Sequence, residues 1–162
     1  MILGKDRILA LVRDAKLIEG FAESSLGGAG YDLRVGRFHR PASETHLGVS
    51  DRKMPKITEL SGDRITLKPG EYVLVETIEK VNMPANVAAK ILPRSSLFRL
   101  GCSLETALVD PGYKGALTMG LSNISKHDFT IERGARIAQI VFEEVEGETT
   151  LYKGKYQGGK VV

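Results

Sequence analysis

The chain has 162 residues, 42% of them hydrophobic and 27% charged, which fits one folded domain with a hydrophobic core. Its one cysteine, Cys102, excludes an internal disulfide and a multi-cysteine zinc site, and we expect it to be a small buried residue. The net charge of +3 is mild and the basic residues are scattered. This is compatible with a small polyanionic ligand and argues against a nucleic-acid partner.

No apolar run approaches the roughly 18 residues that would span a bilayer. Residues 1–6 lack the charged-then-apolar layout of a secretory signal. We therefore expect no membrane partner and a cytoplasmic location.

The apolar residues of segment 5–17 recur at helical spacing and predict one N-terminal helix. After a glycine-rich breaker, residues 31–38 alternate between apolar and charged. They predict a half-buried strand with Tyr31, Leu33 and Val35 on one face.

Strand signals then recur at short intervals, after a polar segment at 41–55 that predicts a surface loop. Pro69-Gly70 predicts a type II turn, because proline presets φ and glycine accepts a positive φ. This spacing is typical of an all-β sandwich, barrel or jelly roll. The candidate strands are 64–67, 72–75, 87–92, 103–109, 116–121, 129–131 and 136–143.

The tail, residues 151–162, is basic, glycine-rich and without periodicity. We expect a flexible C-terminal arm that follows a single domain formed by residues 1–150.

One segment combines two arginines, Arg94 and Arg99, with two adjacent serines, Ser95 and Ser96, before Gly101. It predicts a short helix that one of the serines caps and the glycine ends. Free N–H groups at such a helix start, together with the arginines, suit a phosphate. The alternative is an ordinary capped turn with surface arginines.

Asp110 lies in a turn between two candidate strands, where a carboxylate suits activation of a water for attack on phosphorus. The alternative is a common Asp-Pro-Gly turn. Tyr113 suits packing against a sugar or base, or is a half-exposed aromatic of a strand. Gln139, inside an apolar strand, needs a partner if it is buried. For Asp32 we expect a structural bond rather than a catalytic role.

Several classes of site are absent from the sequence. His39, His46 and His127 are far apart and do not have metal-ligand spacing. The His-x-Glu and Cys-x-x-Cys pair of zinc cytidine deaminases is missing, as are the Walker A, Gly-x-Ser-x-Gly and Rossmann motifs.

Four segments together resemble the motifs of one superfamily, the trimeric dUTPases and dCTP deaminases. The N-terminal helix, Arg99 and the tail resemble the deaminase branch. In chain order the four segments are 30–34, 93–97 followed by Gly101, 109–115 with the motif continuing to Asn123, and 134–142.

Two departures from the deaminase pattern favour the dUTPase branch. The family's deaminating glutamate is expected ten residues after Asp110, where this chain has Gly120, and a glycine cannot transfer a proton. Gly159 stands where similar deaminases have a second glutamine. Asp110 and Tyr113, which a dUTPase needs, are both present. The chain therefore resembles the archaeal-type dUTPases, which combine deaminase-like sequence with hydrolytic function.

The resemblance implies a mainly β distorted jelly roll, or β-clip, with one N-terminal helix and a short helix after the Arg-Ser-Ser motif. It implies a homotrimer with sites between subunits. The implied reaction is hydrolysis of dUTP to dUMP and pyrophosphate, with Asp110 as general base and Mg²⁺ held mainly by the substrate phosphates rather than by direct protein ligands.

It also implies roles in substrate binding. The two serines and two arginines would hold the phosphates, Tyr113 would pack on the deoxyribose and exclude a 2′-hydroxyl, and Gln139 would bond an α-phosphate oxygen or the neighbouring site. The main chain of Thr118, Met119 and Gly120 would pair with uracil. The lid over the triphosphate would use Tyr152, Lys155 and Gln157.

Two alternatives remain open from the sequence. One is a dCTP deaminase, alone or bifunctional, in which another residue such as Glu105 or Glu132 serves the amine step. The other is a non-catalytic nucleotide-binding trimer.

Overall fold

A computed structural model describes all 162 residues. Strands hold 45% of them and helices 12%, which confirms the mainly β expectation. The helices are α1 (Lys5–Ala15) and α2 (Ser95–Arg99), with a 3-10 turn at Glu23–Ser25. The strands are β1 (Ile18–Glu19), β2 (Tyr31–Pro41), β3 (His46–Leu47), β4 (Arg52–Lys53), β5 (Ile57–Leu60), β6 (Arg64–Leu67), β7 (Tyr72–Asn82), β8 (Val87–Pro93), β9 (Cys102–Glu105), β10 (Lys114–Asn123), β11 (Phe129–Glu132) and β12 (Arg136–Glu144).

The main sheet is antiparallel and nearly closed, in the order β8-β12-β2-β7-β10-β9. β1 adds to β7 and β5 adds to β2, while β6–β11 and β3–β4 form two small ladders. This confirms the mainly β fold predicted from the strand spacing and, among the sandwich, barrel and jelly-roll alternatives, the jelly-roll-like arrangement that the resemblance implies. No helix is long and apolar enough to cross a membrane.

The core lies where the strand patterns place it. Tyr31, Leu33 and Val35 alternate on one face of β2 and are fully buried, as predicted. Ile8 anchors α1 on the same core, and Cys102 is the small buried residue expected.

A buried carboxylate joins β2 to β7. Glu79 is completely buried and accepts hydrogen bonds from Arg34 Nε at 2.6 Å and from the Tyr31 hydroxyl at 3.2 Å. This partnering offsets the desolvation of the charge, and loss of Arg34 would leave it uncompensated.

Several boundaries differ from the predictions. The middle strands are longer than their apolar runs, because pairing continues through charged residues such as those of β7. The polar segment 41–55 contains the β3–β4 ladder. The strand expected at 103–109 ends at Glu105, after which only Val109 bridges to Ala89.

The expected serine cap of α2 is wrong. Arg94 occupies the N-cap position, and no side-chain bond caps the helix. Ser95 and Ser96 are the first two helical residues, so their hydroxyls are not committed to capping. Gly101, with φ of 80°, follows the helix end as expected.

Candidate active site

The predicted site residues are distributed over two cavities. The first, here the Asp110 cavity, has a volume of about 660 Å³ and is lined by residues of β7, β10 and the C-terminal arm, including core residues such as Met119 and Leu117. The second, here the Arg94 cavity, has a volume of about 540 Å³ and lies where β8, β12 and β2 meet. The Asp110 cavity takes in Asp110, Tyr113, Thr118, Met119, Gly120 and Tyr152, and the Arg94 cavity takes in Arg94, Ser95 and Gln139.

Asp110 is held at the edge of its cavity by the turn that begins β10. Its main-chain carbonyl accepts a hydrogen bond from the Tyr113 N–H at 3.2 Å, and Gly112 supplies the positive φ that the turn requires. The Asp110 side chain is half-buried, with no ion-pair partner among the salt bridges of the chain. A carboxylate in this position is available to orient a water molecule.

Tyr113 forms a buried wall of the same cavity. Its side chain is too buried for the half-exposed alternative, with the whole residue only 8% exposed. The hydroxyl donates to the Ala116 carbonyl at 2.6 Å, and the ring meets Tyr152 edge-on at 5.4 Å between centroids. Burial, followed by the nearby Tyr152 and Glu76, raises the pKa of Tyr113 to about 12. The ring therefore offers a neutral, rigid apolar surface.

The floor of the Asp110 cavity is the strand β10, with Thr118, Met119 and Gly120 in sequence. β9 pairs with β10 only from Gly120 to Asn123, which leaves the preceding stretch of that edge without a strand partner. Main-chain groups at this edge are available to a planar ligand.

Arg94 and its neighbours give the second cavity its positive charge. Arg94 Nε lies 3.2 Å from Asp32 Oδ2, and Arg136 approaches the same oxygen at 3.5 Å. The carboxylate thus holds two guanidinium groups side by side, an arrangement suited to an anion. Gln139 faces this cavity, and Gly30 makes room for it, since a Cβ at position 30 would lie 3.1 Å from Gln139 Cγ.

Sequence reasoning missed part of this cavity. It expected a structural bond for Asp32, which the ion pairs bear out, but it did not connect that bond to Arg94 and gave Arg136 no role. The antiparallel β2–β12 pairing brings these residues together by setting Gln139 opposite Asp32, and this register could not be read from the sequence. Ser25, whose buried hydroxyl lacks a partner, also lines the cavity and carried no sequence signal.

Two predicted residues on α2 lie outside both cavities. Ser96 and Arg99 are exposed. The Arg99 guanidinium donates to the Ser95 carbonyl at 3.0 Å and lies over the Phe98 ring. Within a single chain these residues are directed to the surface.

The C-terminal arm folds back along the Asp110 turn. Gln157 bridges it, accepting from the Lys114 N–H at 2.8 Å and donating to the Gly112 carbonyl at 3.0 Å. Tyr152 and the final residues line the Asp110 cavity, whereas the Lys155 ammonium stacks on the Tyr156 ring.

No residue lines both cavities, so one chain separates the carboxylate from the paired arginines. The β-sheet fold carries an apolar, aromatic-walled cavity with a carboxylate and a second cavity lined by paired arginines. Cavities of this size and lining are typical of small-molecule-binding proteins.

The chain belongs to the dCTP deaminase-like family, whose model matches residues 2–145. It is 40% identical to a probable deoxyuridine 5'-triphosphate nucleotidohydrolase of Aeropyrum pernix, covering 96% of each chain. It is 39% identical to a dCTP deaminase of Thermococcus kodakarensis, covering 92% of this chain and 90% of the relative. The fold is similar to the crystal structure of the 2'-deoxycytidine 5'-triphosphate deaminase of Agrobacterium tumefaciens, with a TM-score of 0.71 at 23% identity. That likeness covers 89% of this chain and about half (48%) of the neighbour.

Proposed function

We propose that the protein hydrolyses dUTP to dUMP and pyrophosphate. The observation that carries this proposal is that Asp110 and Gly120 line the same cavity. The carboxylate needed for hydrolysis is therefore present, and the side chain expected for deamination is absent. The Aeropyrum pernix relative, named as a deoxyuridine triphosphate nucleotidohydrolase, supports it.

In the proposed reaction Asp110 orients a water molecule in line with the α-phosphorus and takes its proton as the water oxygen attacks. The bond from the α-phosphorus to the bridging oxygen of the leaving group breaks, and pyrophosphate departs with the electron pair. Tyr113 packs on the deoxyribose and leaves no space for a 2′-hydroxyl. The open edge of β10 pairs with the uracil ring.

The phosphate groups bind in the Arg94 cavity of a neighbouring copy. This is supported by the separation of the two cavities, because the paired arginines Arg94 and Arg136, suited to several phosphate oxygens, lie in the Arg94 cavity, whereas the arm brings single lysines such as Lys160 to the Asp110 cavity. We propose a homotrimer in which Arg94, Ser95 and Gln139 of one subunit complete the Asp110 cavity of the next. Ser96 and Arg99, exposed on α2, add further phosphate contacts across that junction.

Mg²⁺ fits this site as a companion of the substrate. No three His, Cys, Asp or Glu side chains are grouped as metal ligands, so the ion would take its ligands mainly from phosphate oxygens and water. When bound, it would neutralise charge on the triphosphate.

The arm serves as a lid in this proposal. Tyr152 and Gln157 already contact the Asp110 turn, and Lys155 supplies a cation to a bound triphosphate. A cytoplasmic location agrees with one buried, unpaired cysteine.

Deamination of dCTP is the second candidate, alone or together with dUTP hydrolysis. The name of the Thermococcus kodakarensis relative favours it. The nearest carboxylate is that of Glu105, opposite Gly120 in the β9–β10 register, whereas Glu132 lies on β11 in a different ladder. A nucleotide-binding trimer without turnover is the third possibility.

Replacement of the proposed base tests the mechanism. We expect Asp110→Asn to bind a non-hydrolysable dUTP analogue normally while its kcat for dUTP falls about 10²–10⁴-fold. The matched control is Asp128→Asn, an exposed aspartate outside both cavities, which should keep full activity. Normal turnover in Asp110→Asn would contradict the assignment of the base.

A further inference from the structure

The space above Gly120 is occupied by two side chains from neighbouring strands. An ideal Cβ at position 120 would lie 2.7 Å from the Tyr72 hydroxyl oxygen and 2.9 Å from Glu105 Oε2. A hydroxyl and a carboxylate therefore stand together where a residue-120 side chain would begin. A side chain at position 120 would have to displace the ends of Tyr72 and Glu105, so with glycine at this position both groups can occupy the space above it.

Tyr72 is directed into the Asp110 cavity. It begins β7, lines the cavity and is 41% exposed. No hydrogen bond joins its hydroxyl to another group of the chain. Burial, followed by the Glu105 charge, raises the pKa of Tyr72, so the group keeps its proton at neutral pH and has a donor to offer.

Glu105 supplies the complementary acceptor. It lies directly opposite Gly120 in the β9–β10 register, and its Oε1 accepts from the Ser103 hydroxyl at 2.7 Å. That bond fixes the carboxylate and leaves Oε2 facing the space above Gly120. On the same face of β10, the Thr118 hydroxyl is buried and has no hydrogen-bond partner in the chain, so it is available for a further hydrogen bond at this end of the cavity.

We propose that Tyr72 and Glu105 form a specificity pair that recognises a ring edge carrying a carbonyl oxygen beside an N–H. The Tyr72 hydroxyl donates to the carbonyl oxygen, and Glu105 accepts from the ring N–H. In a 4-oxo pyrimidine these groups are adjacent. In a 4-amino pyrimidine an amine replaces the carbonyl and an unprotonated nitrogen replaces the N–H, so both contacts are mismatched. This assignment rests on the proposed function, because it places the base of the nucleotide at this end of the cavity.

Equilibrium binding tests the pair independently of turnover. The probes are the α,β-imido analogues of dUTP and dCTP, titrated calorimetrically into wild type, Tyr72→Phe and Glu105→Gln. Tyr72→Phe keeps the ring and removes only the donor, and Glu105→Gln keeps the shape and replaces an acceptor with a group that both donates and accepts. We expect the uracil-over-cytosine affinity ratio to fall about three- to tenfold in each variant. The matched control is Thr130→Val, which removes a hydroxyl hydrogen bond on β11, outside both cavities; its ratio should equal that of wild type.

The outcomes separate this inference from the proposed function. If the uracil-over-cytosine affinity ratio of Tyr72→Phe or of Glu105→Gln equals that of wild type, the pair is overturned, even if the wild-type enzyme hydrolyses dUTP. A reduced ratio in both variants supports the pair, even if wild type releases no pyrophosphate from dUTP and the proposed reaction fails. Equal wild-type affinity for the two analogues also overturns the pair.

Discussion

At the scale of single residues, Tyr113 connects the chemistry of the cavity to the stability of the chain. The ring is buried against Tyr152, and its hydroxyl is bonded to the Ala116 carbonyl. Ionisation would place a charge in this apolar wall, which is why the pKa of Tyr113 rises to about 12. The neutral ring is thus part of both the core and the site.

This shift predicts a loss of stability in strong alkali. Between pH 10, the usual tyrosine value, and about pH 12, the unfolded chain releases the Tyr113 proton while the folded chain keeps it. The free energy of unfolding should therefore fall as pH rises, by about 2–3 kcal/mol in total from this group. Urea unfolding of wild type and Tyr113→Phe from pH 9 to 12 measures it. The variant should lose the hydroxyl bond at every pH and show the shallower decline; parallel declines would contradict the account.

The sequence alone was sufficient to predict single residues of the candidate site where their spacing along the chain was informative. The ten-residue step from Asp110 to Gly120 was visible in the printed chain. The contact of Tyr72 with Gly120 was not visible, because β7 and β10 are brought together by pairing between distant segments. Which side chains occupy the space above Gly120 depends on the register of the paired strands, and no local sequence pattern specifies that register.

At the scale of elements, the arm and β10 cross at unusually short distance. Gly158 N–H donates to the Lys114 carbonyl at 2.8 Å, and a Cβ at Gly115 would lie 2.6 Å from the Gly158 carbonyl carbon. Gly159 meets Ala116 in the same way, with an ideal Cβ 2.8 Å from the Ala116 nitrogen. Close backbone approach therefore accounts for glycine at these positions, including Gly159, where the resemblance led us to expect glutamine.

This close approach predicts that one added methyl group at Gly115 detaches the arm from β10. Gly115→Ala should free residues 151–162 and make trypsin cleavage after Lys153 and Lys155 about tenfold faster, because protection follows the closed population. Gly134→Ala is the control: it also places a Cβ at positive φ (84°, against 139° at Gly115), but a Cβ there meets nothing within 4 Å. Equal cleavage of the two variants would contradict the crossing.

The elements themselves were largely predictable, with instructive exceptions. Alternation in 31–38 identified β2 and its buried face. The cap of α2 was not predictable, because the chain enters the helix from β8 with Arg94 extended, and this places both serines inside the helix. The contacts of the arm depend on backbone geometry rather than on side-chain pattern, so a segment without periodicity gave no sign of them.

At the scale of the whole molecule, the two cavities suggest that the catalytic unit is an assembly. One chain of 17.7 kDa carries both halves of the proposed site but directs them to different surfaces. In the proposed trimer, a closed ring of identical copies would bring each half of the site against the other half on a neighbour. The separation of the two halves in one chain is the observation that supports the proposed trimer.

The assembly predicts that two inactive variants restore each other. Asp110→Asn and Arg94→Ala should each be inactive alone, but when coexpressed in equal amounts they should form trimers with about a quarter of the wild-type sites intact. Light scattering should give three times the chain mass of 17.7 kDa. Coexpression of two differently tagged copies of the same variant is the control. No recovered activity in mixed trimers would place Asp110 and Arg94 of one chain in the same site.

The most direct measurement of the central claim is product analysis with both nucleotides. Purified protein is incubated with Mg²⁺ and either dUTP or dCTP, and pyrophosphate and ammonia are quantified in each reaction. We expect pyrophosphate from dUTP and no ammonia from dCTP, because Asp110 is present and position 120 carries no side chain. Ammonia released from dCTP, or no pyrophosphate from dUTP, would contradict the account.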